Sequence, residues 1–170
     1  MTARKPVYAI DLETTGLSPL QGDRVFEIAA VRVDREAEQF QALINCGVNI
    51  PKNIEKLCGI RTADLQAGVF PDVAFRDFKD FVGNGILVAH NASFDRSFLR
   101  YEYNNLGFDF SNSIRCTLKL YKKARPRLPG YSLRYLAKKI LNLDLERGGR
   151  HRALSDALVV ALLWKNLRKA

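Results

Sequence analysis

Two acids stand two residues apart inside an otherwise apolar run in "YAIDLETTGL": Asp11 and Glu13. Side chains alternate along a strand, so a strand here sends both carboxylates to the same side. Two adjacent anions in an apolar strand are costly without a counter-charge, and hard oxygen ligands are what Mg²⁺ or Mn²⁺ accept. A solvent-facing pair at a strand end is the plainer alternative. A third acid, Asp95, falls in "VAHNASFDRSFL", where an apolar strand ends near Ala89 and Asn91 or Ser93 can cap the helix that follows. Asp95 would then sit in the first helical turn, either favouring the helix dipole or aimed from the strand end into a cleft. The last candidates are His151 and Asp156 in "GGRHRALSDA". On one continuous helix, five residues turn roughly 500°, so these side chains would diverge, and His151 is expected to precede the helix. Gly148 and Gly149 leave that loop permissive, as a mobile base would require, although glycines also simply end elements. A surface or capping histidine is the bland reading of His151.

The elements that must position these residues follow from hydrophobic periodicity. Strands are expected at 7–13, 25–33 ("VFEIAAVRV") and 40–44, with "SPLQGD" turning between the first two, and "GILVAH" reads as a further buried strand. A short helix is expected at 54–58 and longer ones at 72–81 and 94–106. After an extended piece at 113–116, further helices are expected at 118–123, 132–141 and 153–168. Strands that meander first and later alternate with helices indicate a mixed sheet with helices packed on it, an α/β fold.

Composition narrows the class of partner. The chain has 170 residues, 47% of them hydrophobic, enough for one domain, 1–170, with a real core. Its 27 Lys and Arg against 18 Asp and Glu give a net charge of +9, which favours nucleic acid or another polyanion. The longest apolar run, "ALVVALLW", is too short to cross a bilayer and "MTARKP" lacks a secretory signal's apolar stretch, so a cytoplasmic protein with no membrane partner is expected. Cys46, Cys58 and Cys116 are far apart with no CxxC pair, pointing to reduced thiols and no zinc.

In this order, "DLETTGL", "HNASFD" and "HRALSD" resemble the DEDDh family of 3′-5′ exonucleases, which includes the proofreading ε subunit of bacterial DNA polymerase III. The likeness spans nearly the whole chain, with "CGI" at 58–60 and "YSLRYLA" at 131–137 also falling where that family has similar segments. It implies a ribonuclease H-like mixed sheet with one antiparallel strand and helices on both faces. It also implies two divalent cations, Mg²⁺ or Mn²⁺, held by four acids. Asp11, Glu13 and Asp156 would ligate the first, Asp11 would bridge to the second, and Asp95 would support the second through water. His151 would be the general base, a role that suits an ordinary imidazole pKa of about 6.5. The implied activity is hydrolysis of DNA from its 3′ end to nucleoside 5′-monophosphates, in repair or proofreading.

The resemblance also assigns substrate contacts. Thr14, Thr15 and Gly16 would meet the terminal nucleotide, Leu17 would wedge against its base, and Phe94 would support the next base, with core packing the alternative for Leu17 and Phe94. Asn91 is a further candidate contact, although structural hydrogen bonding is the preferred reading for both His90 and Asn91. From Ile114 to Leu143 the chain has nine Lys or Arg, no acid, and tyrosines at 121, 131 and 135. Such a segment could guide a phosphate backbone and stack bases, or be a solvated face with core tyrosines.

Two departures matter. Cys58 stands where many ε-like members carry histidine, and "CTLKL" puts Cys116 in place of an acid, as in the exonuclease X branch. The chain also ends soon after its last helix, without a tail like the one ε uses to bind its polymerase, which points to a freestanding nuclease rather than a proofreading subunit, with one domain of a longer product as the alternative and a polymerase or repair protein as a candidate partner. An exoribonuclease trimming RNA 3′ ends and a non-catalytic nucleic-acid-binding module are the competing functions.

Overall fold

The computed structural model describes residues 5–145 and 151–169. The loop glycines Gly148 and Gly149 lie outside the described residues. Eight residues form the first strand, β1 (Val7–Thr14), and their alternation sets the layers of the molecule. Tyr8, Ile10 and Leu12 point into one core, while Ala9 points into another on the opposite face of the sheet. Asp11 and Glu13 share the face of Ala9 because side chains two apart share a side.

The other strands are β2 (Val25–Arg32), β3 (Gln39–Leu43), β4 (Ile86–Ala89) and β5 (Ile114–Cys116). They form one sheet in the order β3-β2-β1-β4-β5. β2 pairs antiparallel with both β1 and β3, whereas β1–β4 and β4–β5 are parallel, so β2 alone runs against the rest. This is the mixed α/β sheet with one antiparallel strand that was expected. The β1–β2 register puts Asp11 opposite Ala29 and Glu13 opposite Glu27, and it shifts between Glu13 and Thr14, where the chain leaves the sheet.

Helices cover both faces. On the first lie α2 (Pro71–Val82) and α3 (Ala92–Asn105), which bury Phe75, Phe78, Phe98, Leu99 and Tyr103 against Tyr8, Ile10 and Leu12. The second face belongs to α6 (Ala153–Lys169), whose Ala153, Ala157, Val160 and Ala161 meet Ala9, Ala29, Val31 and Val88. Small residues on both sides let this helix lie close to the sheet. Its outer side packs Val159 and Leu163 against Tyr121, Leu136 and Ala137 of α4 (Thr117–Ala124) and α5 (Leu133–Leu141). Covered on two sides, α6 is apolar around most of its circumference. The remaining helix, α1 (Lys52–Cys58), precedes a short 3₁₀ segment, Thr62–Ala67. A second 3₁₀ turn, Pro19–Gln21, follows β1, and the sequence reading had foreseen neither 3₁₀ segment.

Candidate active site

Four acids reach one place from three elements. Asp11 and Glu13 come from the C-terminal half of β1, Asp95 from the first turn of α3, and Asp156 from the first turn of α6. The chain makes the turn after β4 by placing Asn91 in the left-handed region (φ 70°), a conformation asparagine tolerates, so that α3 starts directly above the strand end. Asn91 occupies the N-cap position but caps nothing with its side chain; its Oδ1 accepts from Ser93. Asp95 is 3% exposed and faces inward, beyond what a helix-dipole role alone would need.

Electrostatics show how closely the acids gather. Burial pushes the Asp11 carboxyl well above its ordinary range, and the charges of Asp95, Asp156, Glu13 and Glu27 push it further. Glu13 is pushed up to about 7, first by desolvation and then by Asp156, while His151 and Arg152 oppose the rise. Desolvation alone raises Asp95 to about 7, against a backbone hydrogen bond that lowers it. Carboxyls that cost this much to ionise together make a site short of positive charge.

His151 lies two residues before α6, off the helix, and its Nδ1 is 3.0 Å from Asp156 Oδ2. That hydrogen bond raises the imidazole pKa above its ordinary 6.5. Ligand atoms of Glu13, His151 and Asp156 all lie within 4.8 Å of one another. Oxygen-rich donors of this kind suit a hard divalent cation. Glu13, His151 and Asp156 therefore fit such an ion by donor chemistry, while Asp11 and Asp95 lie outside that ligand group and join it through the charge that Asp95, Asp156 and Glu13 exert on the buried Asp11.

The turn after β1 is tied internally. Thr14 Oγ1 donates to Gly16 O, Thr15 Oγ1 accepts from Arg24 N, and both threonines are buried. A side chain at Gly16 would collide with the Asp23 carboxylate, which accepts from Ser18 N. Glycine here makes room for the turn's own packing, and the threonine hydroxyls brace it. Arg24 anchors the turn to α3 through a two-pronged pair with the buried Glu102, at 2.8 and 2.7 Å. Leu17, in the turn after β1, is 84% exposed, so the core-packing alternative fails for it. Phe94 is half-buried with its ring 5.0 Å from that of Phe98.

Other expectations meet structural duties. His90 bridges Thr117 Oγ1 (3.0 Å) and Tyr131 O (2.8 Å), joining β4 to α4 and the α5 approach. Tyr121 is fully buried and donates to Leu163 O, so it is unavailable for base stacking, which corrects its place in the basic tract. Tyr131 is half-buried beneath Lys122 Nζ (5.8 Å), while Lys119, Lys122, Lys123, Arg125 and Arg127 remain exposed. Cys58 is buried at the end of α1, its thiol turned to Ile60; burial raises its pKa, and the charges of Glu13 and Glu27 add to the rise.

One residue at the site escaped the sequence reading. Glu27 is fully buried in β2 opposite Glu13 and binds Arg152. The signal was the same as for Asp11, a lone acid in the apolar run "VFEIAAV".

Residues 8–164 match the RNase_T family model, described as exonuclease. DNA polymerase III subunit epsilon of Aquifex aeolicus is 39% identical over 158 residues, covering 91% of this chain and 76% of that protein. PolC-type DNA polymerase III of Listeria monocytogenes is 38% identical over 165 residues, 94% of this chain but 11% of its own length. Among solved structures, exonuclease X in complex with 5′ overhanging duplex DNA superposes with a TM-score of 0.75 at 25% identity, covering 96% of this chain and 91% of that one. The nuclease domain of 3′hExo, a DEDDh family member bound to rAMP, shares the fold, with a TM-score of 0.80 at 15% identity over 99% of this chain and 94% of its own.

Proposed function

The chain belongs to the RNase_T exonuclease family, and on that premise we propose that residues 1–170 form one domain that hydrolyses DNA from the 3′ end with two divalent cations, Mg²⁺ or Mn²⁺. The observation carrying this reading is the convergence of Asp11, Glu13, Asp95 and Asp156, where burial first and then the charges of the other three raise the Asp11 pKa. When bound there, the cations supply the missing counter-charge and electrostatic stabilisation at both ends of an in-line displacement.

The chain's own groups hold and move the rest. His151 is the general base. With Nδ1–H turned to Asp156 Oδ2, its Nε2 carries the lone pair that takes a proton from the attacking water. The water oxygen bonds to phosphorus as the bond to the 3′ oxygen breaks, and that oxygen takes up a proton from solvent. A nucleoside 5′-monophosphate and a strand shortened by one residue leave. Asp156 orients the imidazole through one carboxylate oxygen and has the other for a cation.

Leu17, exposed in the turn after β1, is suited to press against the terminal base, and Phe94 to support the next, since apolar faces grip bases without reading sequence. Thr14, Thr15 and Gly16 shape the turn that presents Leu17, and Asn91 is a polar contact at the start of α3. The exposed cations of α4 and the loop after it make a track for the phosphate backbone, with a polymerase or repair protein as a further partner.

The test is trimming of matched 3′-labelled and 5′-labelled DNA and RNA oligonucleotides, single- and double-stranded, with Mg²⁺, with Mn²⁺ and with EDTA. Stepwise loss from the 3′ end of DNA, abolished by EDTA, is expected. Strong preference for RNA would make the chain an exoribonuclease, and no trimming of either would leave a binding module.

A further inference from the structure

A site that must attract cations has little use for a fifth carboxylate, yet β2 places Glu27 directly across from Glu13. Like charges opposed on one face of an antiparallel pair repel. The structure resolves this by saturating Glu27. Arg152 Nε donates to Oε1 (3.0 Å) and Oε2 (3.2 Å), and Arg152 Nη2 donates to Oε1 (2.6 Å). The backbone N–H of Ala153, the first residue of α6, donates to Oε2 (2.9 Å), and Gln41 Nε2 from β3 donates to Oε1 (2.8 Å). With its lone pairs committed, Glu27 is set apart from the four acids that stay open.

These bonds clamp the segment bearing the base. Arg152 and Ala153 are held by Glu27, while the neighbouring His151 N–H donates to Leu57 O of α1 at 3.1 Å. Helix α6 then begins with Asp156 N–H donating to Arg152 O. His151, Arg152 and Ala153 are therefore each tethered to another element, immediately before the helical turn that carries Asp156.

We infer that Glu27 and Arg152 act as one positioning device, which neutralises the fifth acid and fixes the start of α6 so that His151 and Asp156 face Asp11 and Glu13. Both are positioning residues that act through His151 and Asp156. The inference rests on the proposed exonuclease function for its kinetic arm, whereas its melting arm is independent of catalysis. Groups that orient catalytic or metal-binding residues cost roughly 10- to 100-fold when removed.

The experiment uses the full chain with Glu27→Gln, Arg152→Gln and the double variant. Turnover on a DNA oligonucleotide is measured beside melting in EDTA and in millimolar MnCl₂. Each single variant is expected to lose about 10-fold or more in kcat with KM changed less than about 3-fold, and to show a smaller Mn²⁺-induced rise in Tm than the parent. The double variant is expected to be no worse than the worse single one, because two members of one device do not act additively. Should Glu27→Gln fail to fold, the half-exposed Arg152→Gln carries the same comparison. Multiplying losses in the double variant would overturn the inference. So would a lower Tm in EDTA with the Mn²⁺ increment and kcat both intact, since that is what a purely structural ion pair would give. If the parent cuts nothing yet the Mn²⁺ increment shrinks as expected, the exonuclease reading falls and the positioning device stands.

Discussion

Removing divalent cations at rising pH should destabilise this protein, and the size of the effect follows from its acids. Glu13 ordinarily titrates at 4.5 and is pushed up to about 7 in the fold. A carboxyl raised in this way holds more protons folded than unfolded between those values, so stability falls as pH climbs through that window. At ~1.4 kcal/mol per pH unit, Glu13 alone costs roughly 3 kcal/mol once ionised, and water at its exposed edge trims that figure. Asp11 and Asp95, both raised, act in the same direction. So does His151: its pair with Asp156 stabilises below the ordinary imidazole pKa and is lost as pH rises through its raised one. The lowered carboxyls Asp34, Glu38, Glu55 and Asp64 act oppositely, but their stabilisation is already complete above their ordinary values near pH 4. For a chain of this size, 3 kcal/mol corresponds to roughly 6 to 12 °C in Tm. Thermal melts in EDTA from pH 5.5 to 8 cross only the last ~1.5 units of that window, about 2 kcal/mol from Glu13, so Tm should fall by roughly 4 to 8 °C, with the lower half of the range favoured by screening. Millimolar Mg²⁺ or Mn²⁺ should restore the loss at pH 8, because a ligand binding the folded form alone stabilises it. A melting temperature that stays level or climbs with pH in EDTA, or one that ignores the cations at pH 8, would refute the electrostatic account of the cluster.

Other expectations concern turnover. His151→Ala should remove most of kcat while DNA binding, measured by fluorescence anisotropy, stays close to that of the parent, and parental activity should decline on acidification as the imidazole takes a proton. Full turnover in the variant would exclude His151 as the base. Reversing Lys122 and Lys123 to Glu should raise KM and flatten its dependence on salt, since log affinity falls with log salt in proportion to the phosphates neutralised. An unchanged salt slope would remove α4 from the DNA track. Leu17→Ala should weaken binding of the strand end by up to about 1.5 to 3 kcal/mol, the worth of fully burying a leucine side chain, with the Tm unmoved because the side chain is solvent-exposed in the free protein. Loss of thermal stability without loss of affinity would assign Leu17 to the fold instead.

Much of the architecture was legible in local pattern. The two-residue period of "YAIDLET" gave β1 its apolar and acidic faces, and the expected strands and helices lie within a few residues of those observed. His151 stands before the helix as its spacing from Asp156 required. The 3₁₀ turns went unread because three-residue repeats in polar segments leave no distinct hydrophobic period.

By itself, then, the sequence determined which residues could do chemistry, the faces they share along one strand, and the family to which the chain belongs. These are properties of neighbours, set by backbone periodicity and by the order of short motifs. Only the tertiary structure decided which groups are free to act. It buried Tyr121, turned the threonine hydroxyls inward, left Leu17 in solvent, and closed Glu27 on Arg152, 125 residues away along the chain. The physical reason is that desolvation and charge pairing depend on separation in space, and no local period encodes which distant side chain will arrive to cover or neutralise a given one.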